Sequence, residues 1–446
     1  MENSENNLDF RISGGSLLKY ALPTMLSNIF MNVYSIVDQL FVSNLLGTDA
    51  LSAVSIASPF LAVALAIGMM IATGGCALVS KQMGAGDNTR ARENFTFFVL
   101  FSTGISVLFC ILGIIFREPI LYLMGSDEVL YPLCESYAVP IFLLIPFAML
   151  SIIFQMFFVA AGKPGLGFGL SIAGGVTNIA LDYVLIGLTP LGVAGAAYAT
   201  AAGYVLQSVV GVIYFLMARK GTLYFVSPKW DGSALLKACS NGASEMVGML
   251  SITITMIAMN IILMNIVGSD GVAAAAIVLS AQTILSAAYA GYIQGIAPVV
   301  SFHFGKVEGS ELRRIYRIAL RTIAVMSVLT FAAAFPLAKP IALLFAEGSE
   351  AVVQMAVQGM FIMAAGFLLM GINLFASGFF TALNDGRTSA LLSLMRTLVF
   401  LIIPLLILPA VIGINGVWIS IPLAEVFSIA LSVFCFRKYR SKFNYA

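Results

Sequence analysis

Long apolar runs separated by short polar breaks fill the chain from about residue 17 to residue 436. An α-helix rises about 1.5 Å per residue, so a run of about 20 apolar residues crosses roughly 30 Å of hydrocarbon. Twelve runs meet that length, at 17–42, 52–80, 94–116, 131–160, 166–187, 192–218, 238–267, 272–302, 316–336, 351–381, 388–410 and 414–436. Several exceed the minimum, which predicts tilt or extension past the bilayer. The pattern predicts an all-α integral membrane protein.

A shift of 221 positions lays the second half of the chain on the first without gaps over long stretches. Asn44, Gly47, Asp49, Gly74, Ser80, Gly84 and Arg92 fall on Asn265, Gly268, Asp270, Gly295, Ser301, Gly305 and Arg313, and Gly192 and Gly195 fall on Gly413 and Gly416. The expected architecture is two homologous six-helix bundles around a central cavity: residues 1–217 as an N-terminal, cation-handling lobe, 218–237 as a cytoplasmic linker and 238–446 as a C-terminal lobe. Six spans per half keep the two repeats parallel, and transporters built this way usually carry substrate between their halves by alternating access.

Composition supports the same class: 60% of residues are hydrophobic, 10% are charged and the mean hydropathy is +1.00. The basic residues gather in alternate loops: Lys81, Arg90 and Arg92; Lys163; Arg219, Lys220 and Lys229; Lys306, Arg313, Arg314 and Arg317; Arg387; and Arg437, Lys438, Arg440 and Lys442. The intervening loops hold Arg117 and Lys339. The positive-inside rule then puts both termini in the cytoplasm of a bacterial-type plasma membrane, in agreement with an even number of spans. The first sixteen residues are polar, and the first apolar run is too long for a cleavable signal. The five cysteines are scattered without C-x-x-C spacing and read as small buried hydrophobes. There is no phosphate-binding G-x-x-x-x-G-K-S/T loop, no H-E-x-x-H, one histidine (His303, with no role attached) and no general base beside a serine. These absences exclude energy from ATP within this chain and argue against an enzyme; no cofactor and no nucleic-acid partner are expected.

Carboxylates in hydrocarbon are costly unless protonated, paired or bound to a cation, so they mark ion or proton paths. Asp38 lies toward the far end of the first span; Asn178 and Asp182 are one turn apart on the fifth; Thr200 follows on the sixth. Their predicted depths coincide in the outer half of the first bundle. Oxygen ligands at one level suit Na⁺, and two close carboxyls sharing a proton suit H⁺ exchange. The bland alternatives are a loop-bonded Asp182, an interfacial Asp38 and a packing Thr200. The second bundle carries Glu245, Arg396 and Glu425 at inner to middle depth. Arg396 is expected to pair with Glu245 or Glu425, as a functional group or a structural clamp. Asp38 and Asp182 fall on Met259 and Ile403 at the repeat shift, so the halves have diverged.

Taken in order, the Pro23–Gly47 run with Asp38, the NIALD element at 178–182 followed by PLGVAGAAYAT, and GIAPVVSFHFG at 295–305 resemble the multidrug and toxic compound extrusion (MATE) family over nearly all 446 residues. That resemblance implies an antiporter in which Na⁺ or H⁺ entering drives an organic, often cationic, compound out, in a membrane-embedded functional monomer. It also implies a cation site at Asp38, Asn178, Asp182 and Thr200. The alternatives are flipping of a lipid-linked saccharide, as in the wider superfamily, and export of one narrow metabolite.

Overall fold

The computed structural model describes residues 7–219, 221–345 and 349–446; Lys220 of the basic loops and the side chain of Asn44 lie outside the described residues. Among the described residues helices are the regular elements, without β-strands. The first half contains α1 (Gly14–Leu46), α2 (Thr48–Gly84), α3 (Asn88–Ile115), the short α4 (Arg117–Leu123), α5 (Tyr131–Ala160), α6 (Pro164–Gly187) and α7 (Val193–Met217). The second half contains α8 (Gly232–Ile266), α9 (Ser269–Gly305), α10 (Gly309–Phe345) and α11 (Glu350–Ala382). It continues through α12 (Gly386–Leu394), a π-helical turn (Met395–Val399), α13 (Phe400–Ile412) and α14 (Ile414–Phe443). Among the described residues eleven spans are long and apolar enough to cross a membrane, with α12 and α13 counted as one, and α1, 33 residues long, is a twelfth long helix. The expected membrane-spanning helical class is therefore what the chain adopts.

The 221-residue repeat reaches the level of helix ends. α2 and α9 begin and end at positions 221 apart, as do the starts of α7 and α14. Gly47 and Gly268 precede α2 and α9 with φ of 85° and 88°, and Gly192 and Gly413 precede α7 and α14 with φ of 54° and 61°. Residues with a Cβ rarely enter that region, so glycine fixes these tight entries in both halves.

Packing repeats as well. In the first half Phe95, Phe154, Phe158 and Phe215 form an aromatic cluster closed by Phe225, whose backbone N–H donates to the Phe215 carbonyl at 3.2 Å. In the second half the positions 221 later, Tyr316, Phe375, Phe379 and Phe436, form the matching cluster. Tyr445 closes it, and its hydroxyl donates to the Phe436 carbonyl at 2.8 Å. Each final helix is thus followed by a segment that folds back and inserts one ring. Tyr445 is fully buried there, and burial pushes its phenol above the usual range, with Tyr316 adding to the effect.

The chain divides into two compact units: residues 1–10 with 26–242, and residues 11–25 with 243–446. α1 and α8 each contribute to both. Within the first unit α8 meets α2 at backbone distance, because a Cβ on Gly242 would fall 1.9 Å from the Met70 carbonyl oxygen. Within the second, a Cβ on Gly291 of α9 would fall 2.4 Å from Cα of Met25 on α1. All five cysteines are free, with Cys76, Cys134 and Cys435 buried.

Candidate functional site

The first unit brings α1, α6 and α7 together through small residues. A Cβ on Gly203 of α7 would lie 2.9 Å from the Gly174 carbonyl of α6, and one on Gly175 would lie 2.5 Å from the Phe30 ring of α1. Close approach of this kind lets short polar side chains meet without a long reach. Each of the three helices then offers a pair four residues apart on one face: Tyr34 and Asp38 on α1, Asn178 and Asp182 on α6, Thr200 and Tyr204 on α7. α5 adds Tyr137, which is buried.

Asp182 and Asn178 are sealed from solvent at 0% and 1% exposure, while Asp38 and Thr200 are half-buried. With the amide of Asn178 turned to satisfy its neighbours, its nitrogen donates to Asp182 Oδ2 at 3.2 Å. Its oxygen then accepts from the Thr200 hydroxyl at 3.3 Å and from the Thr200 backbone N–H at 3.1 Å. The Asp38 carboxyl lies within hydrogen-bonding reach of both Asp182 and Asn178. Two carboxyls can share such a contact only with a proton or a cation between them. Asp38 Oδ1 and Asp182 Oδ1 are both buried with no hydrogen-bond partner. Buried acceptors left open in this way are expensive, and a bound cation or proton satisfies them. Among the described residues no group of three His, Cys, Asp or Glu side chains converges. The donor set of two carboxylates, one amide and one hydroxyl suits a proton or a hard cation.

Three tyrosines border the acid pair. Tyr34 interacts electrostatically with Asp38, Asp182, Tyr137 and Tyr204, and its hydroxyl lies within reach of that of Tyr204. None of them stands out in the sequence by itself. The signal was present in the four-residue spacing of Tyr34 from Asp38 and of Tyr204 from Thr200, but tyrosine in a membrane span is commonplace without the partner helices in view.

The second unit arranges its polar groups differently. Arg396, in the π-helical turn, grips Glu425 of α14 with Nε at 2.9 and 3.2 Å from the two carboxylate oxygens and Nη2 at 2.8 Å from Oε1. Asn373 of α11 donates to Glu425 Oε2 at 2.7 Å and accepts from the Ser432 hydroxyl at 2.9 Å. Glu425 is 4% exposed, so this carboxylate is both buried and answered. Glu245 does not join the group; it sits half-buried on α8, and the guanidinium turns to Glu425 instead.

A seam of hydroxyls also links α8, α11 and α12. Ser244 meets Thr381 at 3.2 Å, Thr381 meets Ser389 at 2.7 Å, Ser393 donates to the Ser244 carbonyl at 2.8 Å, and Thr397 donates to Ser251 at 2.9 Å. Such hydroxyl pairs hold membrane helices together at modest energy each. His303 is buried at the end of α9 with Nδ1 3.2 Å from Glu308 Oε2.

Comparison with known proteins agrees with the fold. The MatE family profile matches residues 23–184 and again 246–407, once per half. A curated relative, the multidrug export protein MepA of Staphylococcus saprophyticus, is 25% identical over 415 residues, covering 92% of this chain and 90% of that protein. A crystal structure of MATE in complex with MaL6 superposes with a TM-score of 0.94 at 19% identity, covering 100% of both chains. A transporter of the MOP superfamily from Pyrococcus furiosus, described as having a binding pocket of reverse polarity, superposes with a TM-score of 0.92 at 19% identity over 99% of each chain.

Proposed function

The chain belongs to the MatE family of membrane transporters, and from that premise we propose that it exports amphipathic, mostly cationic organic compounds across the plasma membrane in exchange for Na⁺ or H⁺. The observation that carries this reading is the pair of buried, unanswered carboxylate oxygens on Asp38 and Asp182 in an apolar bundle. An entering cation offsets one of the two negative charges and bridges the pair, and its release leaves two carboxylates that repel each other and draw on Asn178 and Thr200. A change of that size on α1 and α6 is a differential interaction able to bias two conformations of the transporter. The relatives' role in multidrug export supports an organic substrate, and the basic loops support cytoplasmic termini. Residues 1–217 and 238–446 act as the two lobes of alternating access, joined through 218–237, within one functional monomer. No cofactor is needed, and the coupling ion is cargo.

The test is uptake of a fluorescent cationic dye by proteoliposomes under an imposed Na⁺ gradient and, separately, an imposed H⁺ gradient. Dye movement driven by one gradient and lost in Asp38→Asn establishes the antiport and its ion. Movement under neither gradient, with folded protein, overturns the drug-export reading in favour of a narrow metabolite or a lipid-linked saccharide.

A further inference from the structure

A groove of about 530 Å³ runs along α3 within the first unit. Phe97, Phe101, Gly104 and Leu108 form its floor, and Pro228 and Trp230 of the linker wall one end. From residue 97 to residue 108 the helix rises about 16 Å, close to the length of an extended acyl chain. The floor is apolar throughout, and a Cβ on Gly104 would meet no atom within 4 Å, so the glycine keeps the trough open. Polarity is confined to the linker end. There Trp230, 77% exposed, stands edge-on to Phe97 with ring centroids 5.1 Å apart, the position and chemistry of an interfacial anchor.

The charges at that end are sorted by exposure. Lys229 pairs with Glu93 at 2.7 Å with side-chain exposures of 76% and 16%; Arg90 pairs with Asp231 at 3.1 Å with exposures of 54% and 25%. The carboxylates face inward and the cations outward. Arg92 of the same helix turn bonds the Thr222 carbonyl at 2.9 Å and lies over the Tyr224 ring, neither of them an acid. The more exposed partner of each rim pair is thus the cation, beside a dry trough. A pocket for a compact drug carries polar groups within it to fix orientation, whereas this one separates a long apolar floor from a charged head region, the outline of a single-chain amphiphile segment.

We infer that this groove is a fixed site for one anionic phospholipid of the leaflet on the linker side, with one acyl chain along α3 and the phosphate at Lys229, Arg90 and the Trp230 indole N–H. The site stands on the chain being embedded in a bilayer and is independent of what the protein transports. Held there, the lipid ties the 223–230 return segment to α3.

The chain has two tryptophans, and Trp418 is buried, so Trp418→Phe leaves Trp230 as the sole reporter. In bilayers of graded composition, brominated phosphatidylglycerol is expected to quench Trp230 at about fivefold lower mole fraction than brominated phosphatidylcholine, the preference that one net basic charge gives at a membrane surface. Gly104→Leu, which fills the trough, is expected to remove that preference, and Arg90→Gln with Lys229→Gln to reduce it toward unity while quenching persists. Equal quenching by the two lipids overturns the site in favour of ordinary boundary lipid. A preference that survives Gly104→Leu overturns the groove as its location. Relief of quenching by tetraphenylphosphonium overturns the lipid as occupant and assigns the groove to a transported cation. If Trp418→Phe fails to fold, the unmodified protein gives the same comparison, because quenching acts on the exposed ring.

Discussion

Two lobes of one ancestry treat a buried carboxylate in opposite ways. In the first unit Asp38 and Asp182 face each other with an oxygen apiece left open, and the nearby groups are an amide, a hydroxyl and tyrosines. In the second, Glu425 is clasped by Arg396 and Asn373. The repeat makes the contrast sharper. Glu425 stands 221 positions after Tyr204, a neighbour of the acid pair, and Arg396 stands 221 after Gly175, where α1 presses its Phe30 ring. Where the first lobe has glycine and close packing, the second has arginine and a π-helical turn, Met395–Val399. A buried charge with a fixed internal partner has little to gain from a mobile ion, whereas an unanswered pair has much to gain. The difference teaches that the lobes share a scaffold and divide their labour, with ion handling proposed for the first and a clamp for the second.

The largest way to break this contrast is to neutralise the open pair. Asp38→Asn and Asp182→Asn are each expected to abolish gradient-driven dye uptake in proteoliposomes while leaving the detergent-solubilised protein monodisperse; full uptake in both would end the proposed site. Breaking the clamp is expected to act on stability instead. Arg396→Ala leaves Glu425 buried without its cation, a cost of about 3–5 kcal/mol, read as a large fall in apparent melting temperature. Replacing Arg396 and Glu425 together by Met is expected to restore much of that loss, and a double variant as unstable as the single one would mean the pair is not the stabilising unit.

Smaller effects sharpen the comparison. Gly175→Ala drives a Cβ to 2.5 Å from Phe30, an overpacking worth about 1–3 kcal/mol, and is expected to slow transport. Gly169→Ala on the same helix meets nothing within 4 Å and serves as the silent control. Thr200→Val removes one hydroxyl from Asn178, and the loss of about 1 kcal/mol should weaken ion dependence of uptake roughly fivefold, with Thr200→Ser retaining it. The smallest effect lies outside the membrane. The N–H of Ala234 and the Arg90 guanidinium hold Asp231 down to about 2. Because the folded value is below the usual carboxylate value of about 3.9, its contribution is fully present above pH 4 and is lost as pH falls from about 4 to 2. Proteolysis of the linker across that range should rise, and Asp231→Asn should show the higher rate already at neutral pH.

The class, the twelve long helices and the repeat were legible in the sequence because hydrocarbon admits few backbone solutions: every N–H and C=O must be bonded internally, so apolar length alone announces a helix. Gly47 with Gly268 and Gly192 with Gly413 were legible for the same kind of reason, since a positive φ restricts the residue type. Intramembrane acids were legible because their cost makes them rare.

What the tertiary structure decided was partnership. One-dimensional spacing put Asn178 and Asp182 on one face, but only the approach of α1 to α6 across Gly175 brought Asp38 to them, and only the π-helical turn aimed Arg396 at Glu425 and away from Glu245. The tyrosines around the acid pair, the hydroxyl seam and the fold-back of Phe225 and Tyr445 depend on contacts between residues far apart in the chain. Hydrophobic period and backbone satisfaction are local and can be read in a line of residues, whereas the pairing of buried charges is fixed by helix approach, which many distant small residues set together.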